Sequence, residues 1–483
     1  MFANTKNLWR RSIRMKESPV TSSDSKAPGE SGGLASPVTL AVIGCGQRGK
    51  AYARYALQSP EACKVVAIAE PRPQTRSRFA AQHKVDQTLV FSDWKELHAA
   101  SAETIDAIGK RLADAVLIAV QDHMHVEVAL AFAEQGYHIL CEKPMATTLA
   151  DCIRMEQAVK KAGIIFGMGH VMRYSPYSQE ITSIVKSGAL GRLINVQQLE
   201  PVGHFHFAHS YRQLGEGEPE FIFLDDKELP KLTFSSDIDI ICHWMGSPVF
   251  RASSFGSLQH FRKSAKPGEA GAATRCFDCK IEKECPYSAK RIYLDRVSSG
   301  DIGWPVSPLV DDIPDIENIT AALKAGPYGR CVYECDNDVC DNQVVNLEFE
   351  NGSTASFTMV AFTSAICDRQ LRMHFSHGEI IGDMSTFTVT DFRNNKTKTH
   401  YPKSEGGGHG GGDMGLIRTF VEAVRTGNQK LLGTDVEEVL KSHMTVFAAE
   451  TSRTQQKVVD CNDFELRARE MVQGTLSHVL ELY

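Results

Sequence analysis

The sequence contains no apolar run near the roughly 20 residues that a membrane-spanning helix needs, so no membrane partner is expected. Charge of one sign is also scarce. There are 53 Lys and Arg against 59 Asp and Glu, a net of −6 at pH 7. That balance excludes a general attraction to nucleic acid or anionic lipid, which rests on a basic excess. No secretory h-region is present, and the 13 cysteines are scattered, which predicts reduced thiols and a cytoplasmic protein. What is there is 483 residues with 42% hydrophobic content, enough for two ordinary cores.

The first 37 residues differ in composition from the rest. Met1 to Lys16 carries Lys6, Arg10, Arg11, Arg14 and Lys16 without an acid, and a Ser-, Gly- and Pro-rich stretch follows. This predicts a disordered segment over 1–37. A solvated basic tail is the favoured reading, and a mitochondrial presequence with Phe2, Leu8, Trp9 and Ile13 is the alternative.

The apolar run Val38 to Ile43 leads into Gly44-Cys45-Gly46-Gln47-Arg48-Gly49 and then a helix-like stretch to Gln58. A glycine-rich turn between strand and helix is what a dinucleotide requires: a tight turn, close backbone approach to pyrophosphate, and close helix packing. A second strand, Lys64 to Ala69, ends on Glu70, where an acid can accept from the adenosine ribose hydroxyls. Glu70 disfavours a 2′-phosphate by repulsion, whereas Arg72 and Arg76 can attract one. NAD is therefore the favoured cofactor and NADP the alternative. Further strands are expected over Ala113 to Val120 and Tyr137 to Cys141, with a helix opening at Gln121 to His125 between them.

The second strand of that pair ends on Glu142-Lys143-Pro144. The order GCGQRG, AVLIAVQDHMHVEVALAFAEQGYHILCEKPMATT and FGMGHVMRYSPY resembles the Gfo/Idh/MocA family of NAD(P)-dependent oxidoreductases, from about Val38 to about Val459. The resemblance implies a doubly wound Rossmann α/β domain over 38–172. An α+β domain over 173–470, built on an open and mainly antiparallel sheet, follows it and carries substrate and oligomer contacts. It places Lys143 beside the nicotinamide and the reacting hydroxyl of a sugar or cyclitol. The expected cofactor contacts are Gly44, Gly46, Gln47, Arg48, Gly49, Glu70, Arg72, Asp122, His125, Glu142 and Lys143. Arg173, Tyr174, His206, Asp237 and His409 are the expected substrate contacts, with Lys143 as the catalytic group.

In the second half, Asn342 to Glu350 and Ser353 to Phe362 read as strands joined across Asn351-Gly352, a pair suited to a type I′ turn. Glu200 to His209 reads as the end of a strand. Helices are expected over Glu180 to Ser187, Met414 to Thr426 and Thr434 to Thr454. The glycine-rich GGGHGGGD of 406–413 reads as a ligand loop around His409, with a flexible connector as the alternative.

The sequence departs from the family where a proton acceptor is usual. The customary histidine position is Ser236, the acid or lysine positions before it are Leu232 and Thr233, and the later histidine is replaced by Asn342. Oxidation of a carbinol needs a base, worth about 10²–10⁴ in rate, and Lys143 is the surviving candidate. An insert at about 262–340 holds Cys276, Cys279 and Cys285, with Cys331, Cys335 and Cys340 later. A zinc knot is one reading. Reduced thiols are the default, and no metal is expected. Two functions fit: an oxidoreductase acting on a carbohydrate-like hydroxyl, and a non-catalytic NAD(P)-binding regulator of the same fold.

Overall fold

Strands covered on both faces by helices read as unbroken apolar runs, and six of them form one parallel sheet. In this computed structural model, which describes residues 36–213, 235–404, 406 and 408–474, they are β1 (Val38–Ile43), β2 (Cys63–Ala69), β3 (Val90–Phe91), β4 (Ala115–Ile118), β5 (His138–Cys141) and β6 (Phe166–Met168). Their order is β3-β2-β1-β4-β5-β6, with β1 hydrogen-bonded in parallel to both β2 and β4. This is the doubly wound order that opens a crevice at the C-terminal strand ends, between β1 and β4. The connecting helices are α1 (Gln47–Gln58), α2 (Pro73–His83), α3 (Trp94–Ile108), α4 (His125–Glu134) and α5 (Leu149–Ala162).

Alternating patterns then take over, as a sheet with one covered face demands. The strands are β7 (Leu193–Pro201), β8 (Val249–Ser257), β9 (Asn342–Phe349), β10 (Thr354–Val360), β11 (Gln370–Phe375), β12 (Gly378–Gly382), β13 (Phe387–Asp391), β14 (Lys396–His400) and β15 (Val459–Asp460). They order as β14-β13-β12-β11-β7-β10-β9-β8-β15. Only β7 and β10 run parallel to each other. The helices of this half are α6 (Pro176–Ser187), α7 (His204–Gln213), α8 (Ser235–Met245), α9 (Asp295–Ser298), α10 (Ile316–Ala325), α11 (Gly412–Thr426), α12 (Val436–Gln455) and α13 (Cys461–Val472).

Three local expectations change. Asn351 does not take a positive φ, whereas Gly352 does, at 78°. Gly352 N–H donates to Phe349 O at 2.8 Å and Phe349 N–H to Ser353 O at 2.9 Å. The hairpin therefore closes on a three-residue loop with a left-handed glycine, not a type I′ turn. The histidines at 204–209 lie on α7, because β7 ends at Pro201 and the chain turns into a helix. Finally, α11 belongs with the first sheet: its Met414, Leu416, Ile417, Phe420 and Val421 share a core with Leu40, Val42 and Tyr52. The break near residue 172 thus separates the sheets but not the cores. Among the described residues no helix is long and apolar enough to cross a membrane. Leu232, Thr233 and nearly all of 1–37 lie outside the described residues.

Candidate active site

The glycine turn follows directly from β1. Gly44 has φ +87°, and a Cβ there would stand 2.3 Å from Ala119 O; one on Gly49 would stand 2.0 Å from Gly44 O. Both positions are closed to side chains by the protein's own backbone. Gly46 is different, for its Cβ would meet only Arg72 Nη2 at 3.4 Å. Gly46 is also the N-cap of α1, where no side chain caps the first-turn amides. The turn is thus packed where helix meets strand and open where a pyrophosphate would approach the helix N-terminus. These residues fit a dinucleotide.

Glu70, 1% exposed at the end of β2, accepts from Cys45 N at 2.7 Å, from Arg72 N at 3.0 Å and from Arg72 Nε at 2.8 Å. Arg76 donates instead to the carbonyls of Glu70 and Pro71, at 2.6 and 2.9 Å. Gln47 Nε2 donates to Ser307 Oγ at 2.6 Å, so a segment of the insert reaches the glycine turn.

Lys143 follows β5 on a turn held at three points. Glu142 Oε2 accepts from Lys143 N at 2.9 Å, His125 Nδ1 lies 2.7 Å from Pro144 O, and Met145 N donates to His443 Nε2 at 2.9 Å. The other oxygen of Glu142 takes Arg48 Nε at 2.6 Å and the Tyr52 hydroxyl at 2.5 Å. Arg48 extends the chain to Asp413 at 2.9 and 3.1 Å, and His409 Nδ1 lies 2.9 Å from Asp413. Burial alone would raise the Glu142 pKa, but the charge of Arg48 and the bonds from Tyr52 and Arg48 hold it below the usual value. Asp413 is held low in the same way by His409 and Arg48. Arg48, Glu142 and His409 therefore stand together, with Arg48 and Glu142 positioning the lysine turn. His125 packs beneath that turn, fully buried.

The charge of Lys143 bears on groups from both halves. Burial pushes Asp122 up to about 7 against the opposing charge of Lys143. His206 on α7 is depressed to about 4 by burial, by Arg369 and in part by Lys143; its Nδ1 lies 3.4 Å from Cys367 Sγ, and its ring stands 4.6 Å from that of Trp304. Arg369 on the other side donates to Asp237 Oδ1 at 2.7 Å and Oδ2 at 3.1 Å. It also stands 2.7 Å from Glu200 Oε2, which receives charge without an aligned hydrogen bond. Burial and the neighbouring Asp237 raise the Glu200 pKa. Gln198 donates to Asp237 as well, at 2.5 Å, and Ser236 sits beside it in the first turn of α8.

The other expected residues are held by protein partners. Arg173 grips Asp239 at 2.6 and 2.7 Å and Glu438 at 2.7 Å. Tyr174 donates to Leu432 O at 2.9 Å, which leaves a buried hydroxyl bound to protein. Asn342 donates to Ser257 O and Asp341. Sequence reasoning missed Tyr52, Asp413 and Arg369 as partners, and it missed His443, whose place within α12 carries no local signal. All 13 cysteines are free thiols. No group of three or more His, Cys, Asp or Glu among the described residues is placed to hold a metal.

Residues 38–170 match the family model described as "Oxidoreductase family, NAD-binding Rossmann fold" (GFO_IDH_MocA). A putative oxidoreductase, YteT, of Bacillus subtilis is 22% identical over 321 residues, 63% of this chain and 71% of that protein. Inositol 2-dehydrogenase 1 of Saccharopolyspora erythraea is 30% identical over 155 residues, 32% of this chain and 43% of its own length. Several other curated relatives are likewise matched over less than two thirds of their length. A solved levoglucosan dehydrogenase in complex with NADH and levoglucosan shares the fold with a TM-score of 0.61 at 17% identity, covering 88% of this chain and 99% of that one. The glycine cradle and the acid at the end of β2 both lie within residues 38–170, the span that matches the NAD-binding Rossmann fold of this oxidoreductase family.

Proposed function

We propose that the protein is an NAD-dependent dehydrogenase that oxidises a hydroxyl of a sugar, cyclitol or similar small molecule. The observation that carries this reading is the lysine turn: four side chains, Glu142, His125, His443 and Arg48, hold the segment around Lys143 at the crevice where the glycine turn opens. A lysine needed only for solubility would not require buried histidines beneath it. Bound NAD would supply the hydride acceptor. Lys143, acting as its free amine, takes the hydroxyl proton and becomes an ammonium, while Arg48, Glu142 and Tyr52 hold its backbone in place, and His206 with the Glu200, Asp237 and Arg369 cluster lines the rest of the site. A neutral His206 suits a hydrogen bond to a substrate hydroxyl, because its ring needs no counter-ion. The inositol and levoglucosan dehydrogenases among the relatives support a carbohydrate-like substrate.

Ser236 in place of the usual histidine favours a second reading, a non-catalytic NAD-binding regulator. Turnover across a sugar and cyclitol panel, with wild type beside Lys143→Met, separates them. A loss of about 10²-fold or more with NAD binding unchanged supports the base role. Equal rates in both refute it, and tight NAD binding with no turnover on any panel member favours the regulator. The uncovered face of the second sheet carries Phe255, 71% exposed, opposite Val344 at 37%, which supports the further proposal of a homo-oligomer formed through that sheet.

A further inference from the structure

The insert does more than house cysteines. Its segment Trp304 to Asp311 crosses from the second half to the nucleotide-binding half. At one end Trp304 packs its ring 4.6 Å from that of His206. In the middle, Val306 and Leu309 are buried and Ser307 holds Gln47. At the far end the Asp311 carboxylate sits on the N-terminus of α2. It accepts from Gln74 N at 2.9 Å, from Thr75 N at 2.9 Å and from Thr75 Oγ1 at 2.6 Å, while Arg78 donates to its carbonyl and stands 4.0 Å from its carboxylate.

The first turn of α2 begins three residues after Glu70, the acid placed for the ribose. Free amides at a helix N-terminus with Arg72, Arg76 and Arg78 beside them would make a good site for a phosphate. Here that site is filled from within the chain. Arg72 lies between two carboxylates: it is bonded to Glu70, and its charge also bears on Asp311. Arg76 is turned to backbone carbonyls. Each cation that the sequence offers to a 2′-phosphate already has a partner.

Resting on the NAD reading above, we propose that Asp311 is a specificity-determining residue, which rejects a 2′-phosphorylated dinucleotide by occupying the α2 N-terminus with its own negative charge. Glu70 alone would recognise the ribose hydroxyls and oppose a phosphate from one side. Asp311 opposes it from the other and removes the amide donors. A phosphate bearing about −1.5 to −2 would have to displace the insert segment to reach them. The discrimination is thus built by repulsion as much as by attraction.

The test is titration of wild type, Asp311→Asn and Asp311→Ala with NADH and NADPH, followed by nucleotide fluorescence. Asp311→Asn keeps an oxygen for the helix amides and removes the charge, so it tests charge in a chain whose helix is still capped. Wild type is expected to bind NADH far more tightly than NADPH. Both variants should narrow that ratio about tenfold, chiefly through tighter NADPH, with NADH affinity within about threefold of wild type. An unchanged ratio in Asp311→Asn would overturn the role of Asp311 while leaving the dinucleotide site standing. A wild type that binds neither nucleotide refutes the dinucleotide reading itself, and this inference with it.

Discussion

His443 is the most exacting test of how the lysine turn is held. Its ring is fully buried on α12, accepts the Met145 N–H at 2.9 Å through Nε2, and donates from Nδ1 to Val439 O at 2.9 Å. Both bonds require the neutral ring in one tautomer. Burial, with the His170 ring stacked at 5.3 Å, depresses its pKa to about 3; His170, Asp239 and Lys143 are the charged or titratable groups that bear on it. Leucine at 443 fills a similar volume but leaves the Met145 N–H buried without an acceptor, at a cost of about 1–3 kcal/mol. The pH dependence follows from the depressed value. The contribution of His443 is fully present above its unfolded pKa of about 6.5 and falls away as pH drops toward about 3, because the unfolded chain gains a proton that the folded ring refuses. At pH 5.5 that loss amounts to about 1.4 kcal/mol, and leucine does not titrate. Urea unfolding of wild type and His443→Leu, followed by tryptophan fluorescence, should therefore show wild type ahead by about 1–3 kcal/mol at pH 7.5, with the gap narrowed by about 1.4 kcal/mol at pH 5.5. Comparison within the pair cancels Asp122 and Glu200, whose raised values act in the opposite direction. A gap that does not change with pH would refute the neutral buried ring, and a gap near zero at pH 7.5 would refute the bond to Met145.

Gly46→Val should fold with little change in melting temperature, since its side chain enters open space beside Arg72, yet calorimetry should show NAD binding weakened by about tenfold or more through blocked approach to the pyrophosphate; unchanged affinity would place the cofactor elsewhere. Arg48→Met removes the cation shared by Glu142 and Asp413, and denaturation should report a loss of about 3–5 kcal/mol at pH 7. Both carboxyls have depressed folded values, so that deficit should shrink as pH falls below about 4, where the unfolded carboxylates begin to protonate. A deficit independent of pH would show that the ion cluster does not hold the turn.

Much of the nucleotide-binding half was legible in the residues because its determinants are local. The run Val38 to Ile43, the three glycines and the acid ending the next strand all fall between residues 38 and 70, and the glycines work through their own backbone. Strand and helix boundaries that differ from the sequence expectation by a residue or two do so at element ends, where caps rather than periodicity decide. The hairpin at Asn351-Gly352 shows the limit of a dipeptide signal: the pair marked the turn, but register chose a three-residue loop. The histidines of α7 were misplaced for a similar reason, since HFHFAH alternates like a strand and only packing against Tyr293 and Tyr328 reveals a helix face.

By itself the sequence determined the fold class, the dinucleotide turn, the acid that ends β2 and the lysine after β5, because patterns of two and of 3.6 residues and the conformational needs of glycine are written along the chain. Only the tertiary structure decided which charges meet. Glu142 finds Asp413 through Arg48 across 271 positions, Met145 finds His443, and Asp311 closes a helix that begins more than two hundred residues earlier. Such pairings arise from burial, which forces each polar group to find a partner wherever the fold brings one, and no local pattern records that partner.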